Sequence, residues 1–241
     1  MILALFTSTP QFGAAALGED GTLLSEFTTG PGRRNFRGFM PAVDSVIRAS
    51  GEEPSDLRGI AVAVGPGSFT GLRVGLAAAK GIAHGLGIPV VGIPSLEAVA
   101  YMAPESSLPI CAILDSRKGE LFLGLFERDP SGGLIRLKED ACVHEGELDR
   151  EIQGPCLFIG NDYGRQAPIV RSLHAGMAKL APPLFWHPSA AAVGALGLPR
   201  IVKNEPDDLR DLVPVYFRPP DIRPGPPRAN RSRHSPGVCE G

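Results

Sequence analysis

The segment 60–85 limits the possible folds more than any other part of this chain. Residues 60–64 are all apolar, and a Gly-Pro-Gly turn follows them, so the pattern predicts a buried strand, a tight turn and then a helix capped by Ser68. Small residues recur along the helix at steps of three and four, at Gly71, Gly75, Ala78, Ala79 and Ala83. Each internal glycine costs a helix about 1 kcal/mol relative to alanine. We therefore expect another backbone to approach this face closely, either from the same chain or from a partner helix.

Two nucleotide-binding motifs can be compared with this turn. The phosphate-binding loop of P-loop proteins requires G-x-x-x-x-G-K-[ST], and the sequence has no Gly-Lys followed by Ser or Thr. The dinucleotide-binding motif G-x-G-x-x-G needs a glycine where Thr70 stands, and the third glycine comes one residue later. Neither motif predicts a nucleotide site here. The remaining possibility from spacing alone is a turn and helix that pack on their own sheet or on a neighbouring helix.

Composition indicates an ordinary globular protein. The chain has 241 residues, which suits one large domain or two small ones. Hydrophobic residues make up 43% of it and charged residues 21%, as is typical of globular proteins. A net charge of −2 argues against broad attraction to nucleic acid or membrane. The four cysteines lack C-x-x-C spacing, so we expect free thiols in a reducing cytoplasm rather than a zinc site. No segment approaches the roughly 18 apolar residues of a membrane span, and the apolar N-terminus is predicted to be a strand rather than a signal peptide.

Along the chain, the pattern predicts the order βββαβαβα for residues 1–105. A meander of three strands is followed by an amphipathic helix at about 33–49, in which Pro41 marks either a kink or a late start. The strand and helix described above come next, the helix at about 68–86. A proline-bearing break at 104–109 marks a boundary, and a second, less regular unit covers 106–218, with its last segment expected to pack back on the first. Residues 219–241 are rich in Pro and Arg, and we expect a disordered tail.

Several motifs then resemble one known family. They are the segments 65–75 (GPGSFTGLRVG) and 87–98 (GIPVVGIPSLEA), supported by 2–5 (ILAL), 7–9 (TST), 115–120 (DSRKGE) and 214–218 (PVYFR). Together they resemble the TsaB (YeaZ) family of tRNA threonylcarbamoyladenosine biosynthesis proteins, from residue 1 to about 218. The resemblance implies an α/β fold of the actin-like ATPase (ASKHA, ribonuclease H-like) class, with two subdomains of which the second is reduced.

The resemblance also implies a function. A protein of this family would be a non-catalytic scaffold, an accessory subunit of a tRNA threonylcarbamoyltransferase complex that modifies the tRNA adenosine next to the anticodon. Its partners would be TsaD, in a heterodimer, and the ATPase TsaE, with a homodimer in the absence of TsaD and only indirect contact with tRNA. It would have no cofactor, catalytic residue or metal of its own, and ATP or ADP would be a candidate ligand at the partner interface.

The implied partner interface lies on the first two helices. We expect an apolar stripe of the helix at 33–49 and the small-residue face of the helix at 68–86 to meet helices of the partner in a bundle. The predicted contact residues are Phe36, Phe39, Met40, Val43, Ile47, Phe69, Gly71, Leu72, Arg73, Gly75, Leu76 and Ala79. Without the resemblance, the same two faces would equally suit coverage of the chain's own sheet.

The sequence departs from the actin-like pattern in two respects. Phe6 stands at the end of the first strand, where these ATPases carry an acidic residue for metal and phosphates, so we expect no ATP hydrolysis by this chain alone. The first long helix lacks the histidine pair that holds a metal in TsaD-like proteins, a group once regarded as glycopeptidases. Two alternatives nevertheless remain open: a small-molecule kinase or ATPase with its own cleft between 1–105 and 106–218, and a degenerate glycopeptidase. The charged turn at 115–120 is either a solvated hairpin or a family feature of undefined role.

Overall fold

A computed structural model describes residues 1–30, 36–173 and 178–217. The first half of the chain builds a five-stranded sheet in the order β3-β2-β1-β4-β5, in which β1, β2 and β3 form an antiparallel meander and β4 and β5 run parallel to β1. Its strands are β1 Ile2–Phe6, β2 Gly13–Leu17, β3 Leu23–Thr28, β4 Gly59–Gly65 and β5 Val90–Pro94. Every residue of β1 and β4 is buried, which explains why both read as continuous apolar runs.

The second half of the chain repeats this topology. The order β8-β7-β6-β9-β10 again places an antiparallel meander beside two parallel strands. Its strands are β6 Ile110–Asp115, β7 Glu120–Arg128, β8 Leu134–His144, β9 Cys156–Gly160 and β10 Ala178–Leu180. A 3-10 helix, Glu145–Glu151, joins β8 to β9, whereas the first half has an α-helix at the equivalent place. The duplicated order confirms the predicted actin-like α/β fold with a reduced second subdomain.

The helices of the described residues are α1 Phe39–Ser50, α2 Phe69–Leu86, α3 Ser95–Tyr101, α4 Tyr163–Arg171 and α5 Ala190–Val202. Helices α1, α2, α3 and α5 cover both faces of the first sheet, whereas α4 packs on β9 and β10 of the second sheet. Helices α1 and α2 share one core with Leu3 and Leu5 of β1, whereas α3 and α5 share the opposite core with Ile2, Ala4 and Phe6. The second core continues into both sheets, so the two subdomains are joined by one apolar interior.

Helix α1 begins at Phe39, which matches the late start that Pro41 left open rather than a start near residue 33. Gly38 precedes the first helical residue and Pro41 lies in the first turn, where its missing N–H costs no hydrogen bond. Residues 31–35, which include the predicted start, lie outside the described part of the chain. Helix α2 has the predicted bounds and the predicted N-cap: the Ser68 hydroxyl accepts a hydrogen bond from the Gly71 amide at 3.3 Å.

The last described segment, residues 206–217, is called the C-terminal strap. The Asp207 amide donates to the Val90 carbonyl at 2.9 Å, and the Val215 amide donates to the Val64 carbonyl at 2.8 Å. Leu212 is buried in the core beneath α2. The strap therefore crosses the β5 edge of the first sheet and ends beside α2. The tail predicted at 219–241 lies outside the described residues.

Candidate partner interface

The apolar stripe predicted on α1 faces the chain's own sheet. Phe39, Val43 and Ile47 are only 1%, 2% and 8% exposed, because α1 packs on β2 and β3. Phe36 lies before the helix, half-buried, with its ring centroid 5.9 Å from that of Phe12. Met40 alone among the five predicted positions in this region is largely exposed, at 49%. The assignment of Phe39, Val43 and Ile47 to the partner interface is therefore corrected: these three side chains belong to the core.

The small-residue face of α2 also turns inward. A Cβ added at Gly71 would lie 2.0 Å from the Thr7 carbonyl oxygen, and one added at Gly75 would lie 2.2 Å from Thr7 Oγ1. The predicted close approach exists, but the approaching backbone is the chain's own turn between β1 and β2. Leu72, Leu76 and Ala79 are buried in the same interior. All five of these positions are thus removed from the predicted interface, since their faces are already occupied.

A second row of small residues on α2 points outward and was missed by the sequence analysis. Ala77, Gly81 and Gly85 are exposed, and a Cβ added at either glycine would meet nothing within 4 Å among the described residues. These glycines weaken the helix by about 1 kcal/mol each, and no internal contact explains them. Their four-residue spacing was visible in the sequence, but periodicity alone cannot tell which row faces the core.

Two other predicted residues lie at the start of α2 and form an exposed cluster. The Arg73 guanidinium stacks over the Phe69 ring at 3.8 Å, and its Nε donates to the Tyr216 hydroxyl at 3.1 Å. The Phe69 and Tyr216 rings lie 5.0 Å apart. Tyr216 comes from the C-terminal strap and was not predicted to take part. Of the twelve predicted contact residues, Phe36, Met40, Phe69 and Arg73 therefore keep accessible surface.

The end of β1, where the sequence departs from the actin-like pattern, is packed with this chain's own side chains. Phe6 is fully buried at the end of β1. The hydroxyls of Ser8 and Ser95 are 2.6 Å apart, and Ser95 Oγ also accepts from the Gly65 amide at 3.1 Å. These serines thus link the turn after β1, the end of β4 and the start of α3 by hydrogen bonds.

An amide pair links the two subdomains beside this packed region. Gln11 Nε2 donates to the Asn161 carbonyl at 2.9 Å, and Asn161 Nδ2 donates back to Gln11 Oε1 at 3.4 Å. Asn161 Oδ1 accepts from Gln166 Nε2 at 2.9 Å and from the Asp115 amide at 3.0 Å. The first residue of the charged turn at 115–120 is therefore part of a network that spans both halves.

Opposing effects act on the pKa of the Asp115 carboxyl. Burial raises the pKa of this carboxyl, while Arg165 nearby and a hydrogen bond from Gln166 Nε2 at 2.8 Å act in the other direction. Arg165 also pairs with Glu145 at the start of the 3-10 helix. These contacts give Asp115 a structural role, because its carboxylate binds both Gln166 and Arg165.

The described residues give no sign of a metal centre or a membrane span. Within 1–30, 36–173 and 178–217, no three His, Cys, Asp or Glu side chains cluster as metal ligands would. Over the same ranges, none of the helices combines the length and apolarity needed to cross a bilayer.

This chain is similar to known proteins in both sequence and structure. A family model described as TsaD, tRNA N6-adenosine threonylcarbamoyltransferase, matches residues 33–140. The chain is 32% identical to the tRNA threonylcarbamoyladenosine biosynthesis protein TsaB of Bacillus subtilis (strain 168), over 90% of this chain and 93% of that protein. It is 34% identical to the protein of the same name in Escherichia coli (strain K12), over 70% of this chain and 77% of that one. Among solved structures, an uncharacterized Pseudomonas aeruginosa protein with similarity to peptidase YeaZ superposes with a TM-score of 0.73, at 24% identity, over 90% of this chain and 99% of that one.

Proposed function

Because this chain belongs to the TsaB family of tRNA threonylcarbamoyladenosine biosynthesis proteins, we propose that it is a non-catalytic scaffold of the transferase complex. In this role it stabilises a TsaD subunit in a conformation that can transfer the threonylcarbamoyl group to the tRNA adenosine next to the anticodon. The observation that carries the proposal is the outward row of Ala77, Gly81 and Gly85 on α2, where another helix can approach closely.

The nature of the partner follows from the family-model match. Residues 33–140 of this chain, which include α1 and α2, resemble the transferase itself. Two chains with similar helices can pair about a pseudo-twofold axis, with the same surface used on each side. We therefore propose a TsaD heterodimer formed by the outward faces of α1 and α2, which include Met40 and Gly81. In the absence of TsaD, the same faces would support a homodimer.

The catalytic work is assigned to the partner. A phenyl ring at Phe6 can bind neither a metal ion nor phosphate, and it occupies the place at which related ATPases hold both. We propose that any ATP or ADP in the complex is bound at the partner interface, and that ATP hydrolysis belongs to a third subunit, TsaE. A net charge of −2 supports an indirect contact with tRNA, made through the partner.

Complex formation by helix-face variants tests this proposal. Gly81→Leu places a large side chain on the outward row, where an added Cβ meets no described atom within 4 Å, so the monomer should fold while binding to cognate TsaD is lost. Gly154→Leu is a matched control, because a Cβ there also meets nothing within 4 Å of the described residues, on the second subdomain. Isothermal titration calorimetry of purified TsaD into each variant measures the effect. Equal affinity of Gly81→Leu and Gly154→Leu would contradict the assigned face.

A further inference from the structure

The C-terminal strap supplies an aromatic side chain to the start of α2. Tyr216 contacts both the ring of Phe69 and the guanidinium of Arg73, yet it remains 38% exposed. Phe217 is 37% exposed and lies with its ring centroid 6.0 Å from that of Phe122 on β7. The strap therefore presents two partly exposed aromatic rings, whereas Leu212 in the same segment is buried.

The exposed cluster continues the outward face of α2. Arg73 lies three residues after Thr70 and four before Ala77, so these three positions share one side of the helix. Thr70, Arg73 and Ala77 are all exposed. A partner helix lying along the row that ends at Gly85 would therefore meet the Arg73 and Tyr216 side chains at the N-terminal end of α2.

The contact area that α1 and α2 can provide is smaller than that of a stable interface, so we expect the interface to include more than these two helices. The 18 residues of α2 and the 12 of α1 give lengths of about 27 Å and about 18 Å. With a contact width of about 10 Å, the two helices would cover about 450 Å². A stable interface covers about 800 Å² on each partner. Residues 212–217, about 20 Å long when extended, would add about 200 Å² directly beside α2.

The residue types also fit the centre of an interface. Tyrosine and arginine are enriched at the positions that contribute most to binding, and phenylalanine is enriched in interfaces generally, whereas alanine and glycine on α2 can offer only close approach. Arg73 is already oriented by Phe69 and Tyr216, so little side-chain entropy is lost on binding.

We propose that the docking surface for the transferase partner is composite, and that Tyr216 of the strap, stacked on Phe69 and bonded to Arg73, is its aromatic anchor. This inference rests on the proposed function, because it names an additional part of the same interface. It assigns to residues 214–217 (PVYF) a role in binding the partner, beyond their packing on the first sheet.

The test measures the affinity of full-length variants for purified cognate TsaD by calorimetry. Tyr216→Ala should weaken binding about tenfold or more, while Tyr216→Phe, which keeps the ring, should stay within about threefold of the native affinity. Gly81→Leu reports on the helix face itself. Ile135→Ala is the matched control, because Ile135 is 45% exposed on β8 of the second sheet, remote in the fold from α1 and α2. Thermal unfolding of each variant verifies that it is folded.

The outcomes separate this inference from the proposed function. Loss of binding in Gly81→Leu, together with weakened binding in Tyr216→Ala and native binding in Ile135→Ala, supports the composite surface. Loss in Gly81→Leu with native affinity in Tyr216→Ala overturns the anchor but leaves the helix face in place. If both variants bind like the native chain, the helix face and the anchor are both wrong. If the native chain does not bind TsaD at all, the proposed function fails and this inference fails with it.

Discussion

Two identical substitutions on α2 should change stability in opposite directions. Gly71→Ala and Gly81→Ala lie ten residues apart in one helix, and each gains about 1 kcal/mol from helix propensity. At Gly81 the new methyl group meets no described atom within 4 Å, so the whole gain should be realised. At Gly71 the methyl group would lie 2.0 Å from the backbone oxygen of Thr7, a contact that no rotamer change can relieve.

The expected difference is about 3 kcal/mol. Overpacking costs about 1–3 kcal/mol and sometimes more, and the contact at Gly71 belongs to the severe end because both groups are backbone-anchored. After the propensity gain is subtracted, Gly71→Ala should lose about 2 kcal/mol, whereas Gly81→Ala should gain about 1 kcal/mol.

Urea unfolding followed by circular dichroism measures both effects on the isolated chain. A low protein concentration prevents self-association from stabilising either variant. The two variants should also differ in their affinity for the partner, because the methyl group of Gly81→Ala narrows the space open to a partner helix. If the two variants shift the unfolding midpoint in the same direction, the inward and outward faces of α2 have been assigned incorrectly.

Three further measurements test the contacts around the subdomain boundary. A double-mutant cycle of Gln11→Ala and Asn161→Ala in urea unfolding should give a coupling energy of about 1 kcal/mol for the bond from Asn161 Nδ2 to Gln11 Oε1, and additive losses would show that this bond contributes nothing. Phe6→Ala should lower the free energy of unfolding by about 3–5 kcal/mol, and a loss below about 1 kcal/mol would contradict its burial in the shared core. Burial raises the pKa of Asp115 above its ordinary value of 3.8, so the folded chain holds this proton more tightly and stability should fall as pH rises from 3.8 through the folded pKa. Asp115→Asn lacks this titration, so its stability relative to the native chain should improve over that pH range, and a constant difference would contradict the raised pKa.

The local parts of the fold could be predicted because short-range patterns determine them. The apolar run of β4 and the Ser68 cap fixed the start of α2 to within one residue. The later start of α1 followed from Pro41, which tolerates the first turn but not the helix interior. Each of these signals lies within a few residues of the structure that it determines.

Contacts between distant segments could not be predicted in this way. Helix α5 packs on β1 and β4 of the first sheet, although it follows them by more than a hundred residues. Gly194 and Gly197 permit this packing, since a Cβ at either position would meet Leu17 or Ala61 at less than 3 Å. The sequence indicated only a less regular second unit in this region and gave no sign of the strands on which α5 packs.

The candidate site shows the same limit more clearly. The glycine spacing of α2 correctly predicted a close approach, but spacing does not identify the approaching group, and the prediction of a partner helix was wrong for Gly71 and Gly75. Tyr216 follows Arg73 by 143 residues, so no local pattern could pair them. The outward glycines became informative only when the structure showed the space beside them to be open.

Reconstitution of threonylcarbamoyl transfer tests the central claim most directly. The assay combines tRNA, cognate TsaD, TsaE and the synthase that forms the threonylcarbamoyl adenylate, with and without this chain, and counts modified adenosines per tRNA. The account predicts that modification requires the native chain, is lost with Gly81→Leu and is retained with Gly154→Leu, while the chain alone does not hydrolyse ATP. Full modification in the absence of the chain, together with ATP turnover by the chain alone, would contradict the scaffold role and favour an actin-like kinase or ATPase.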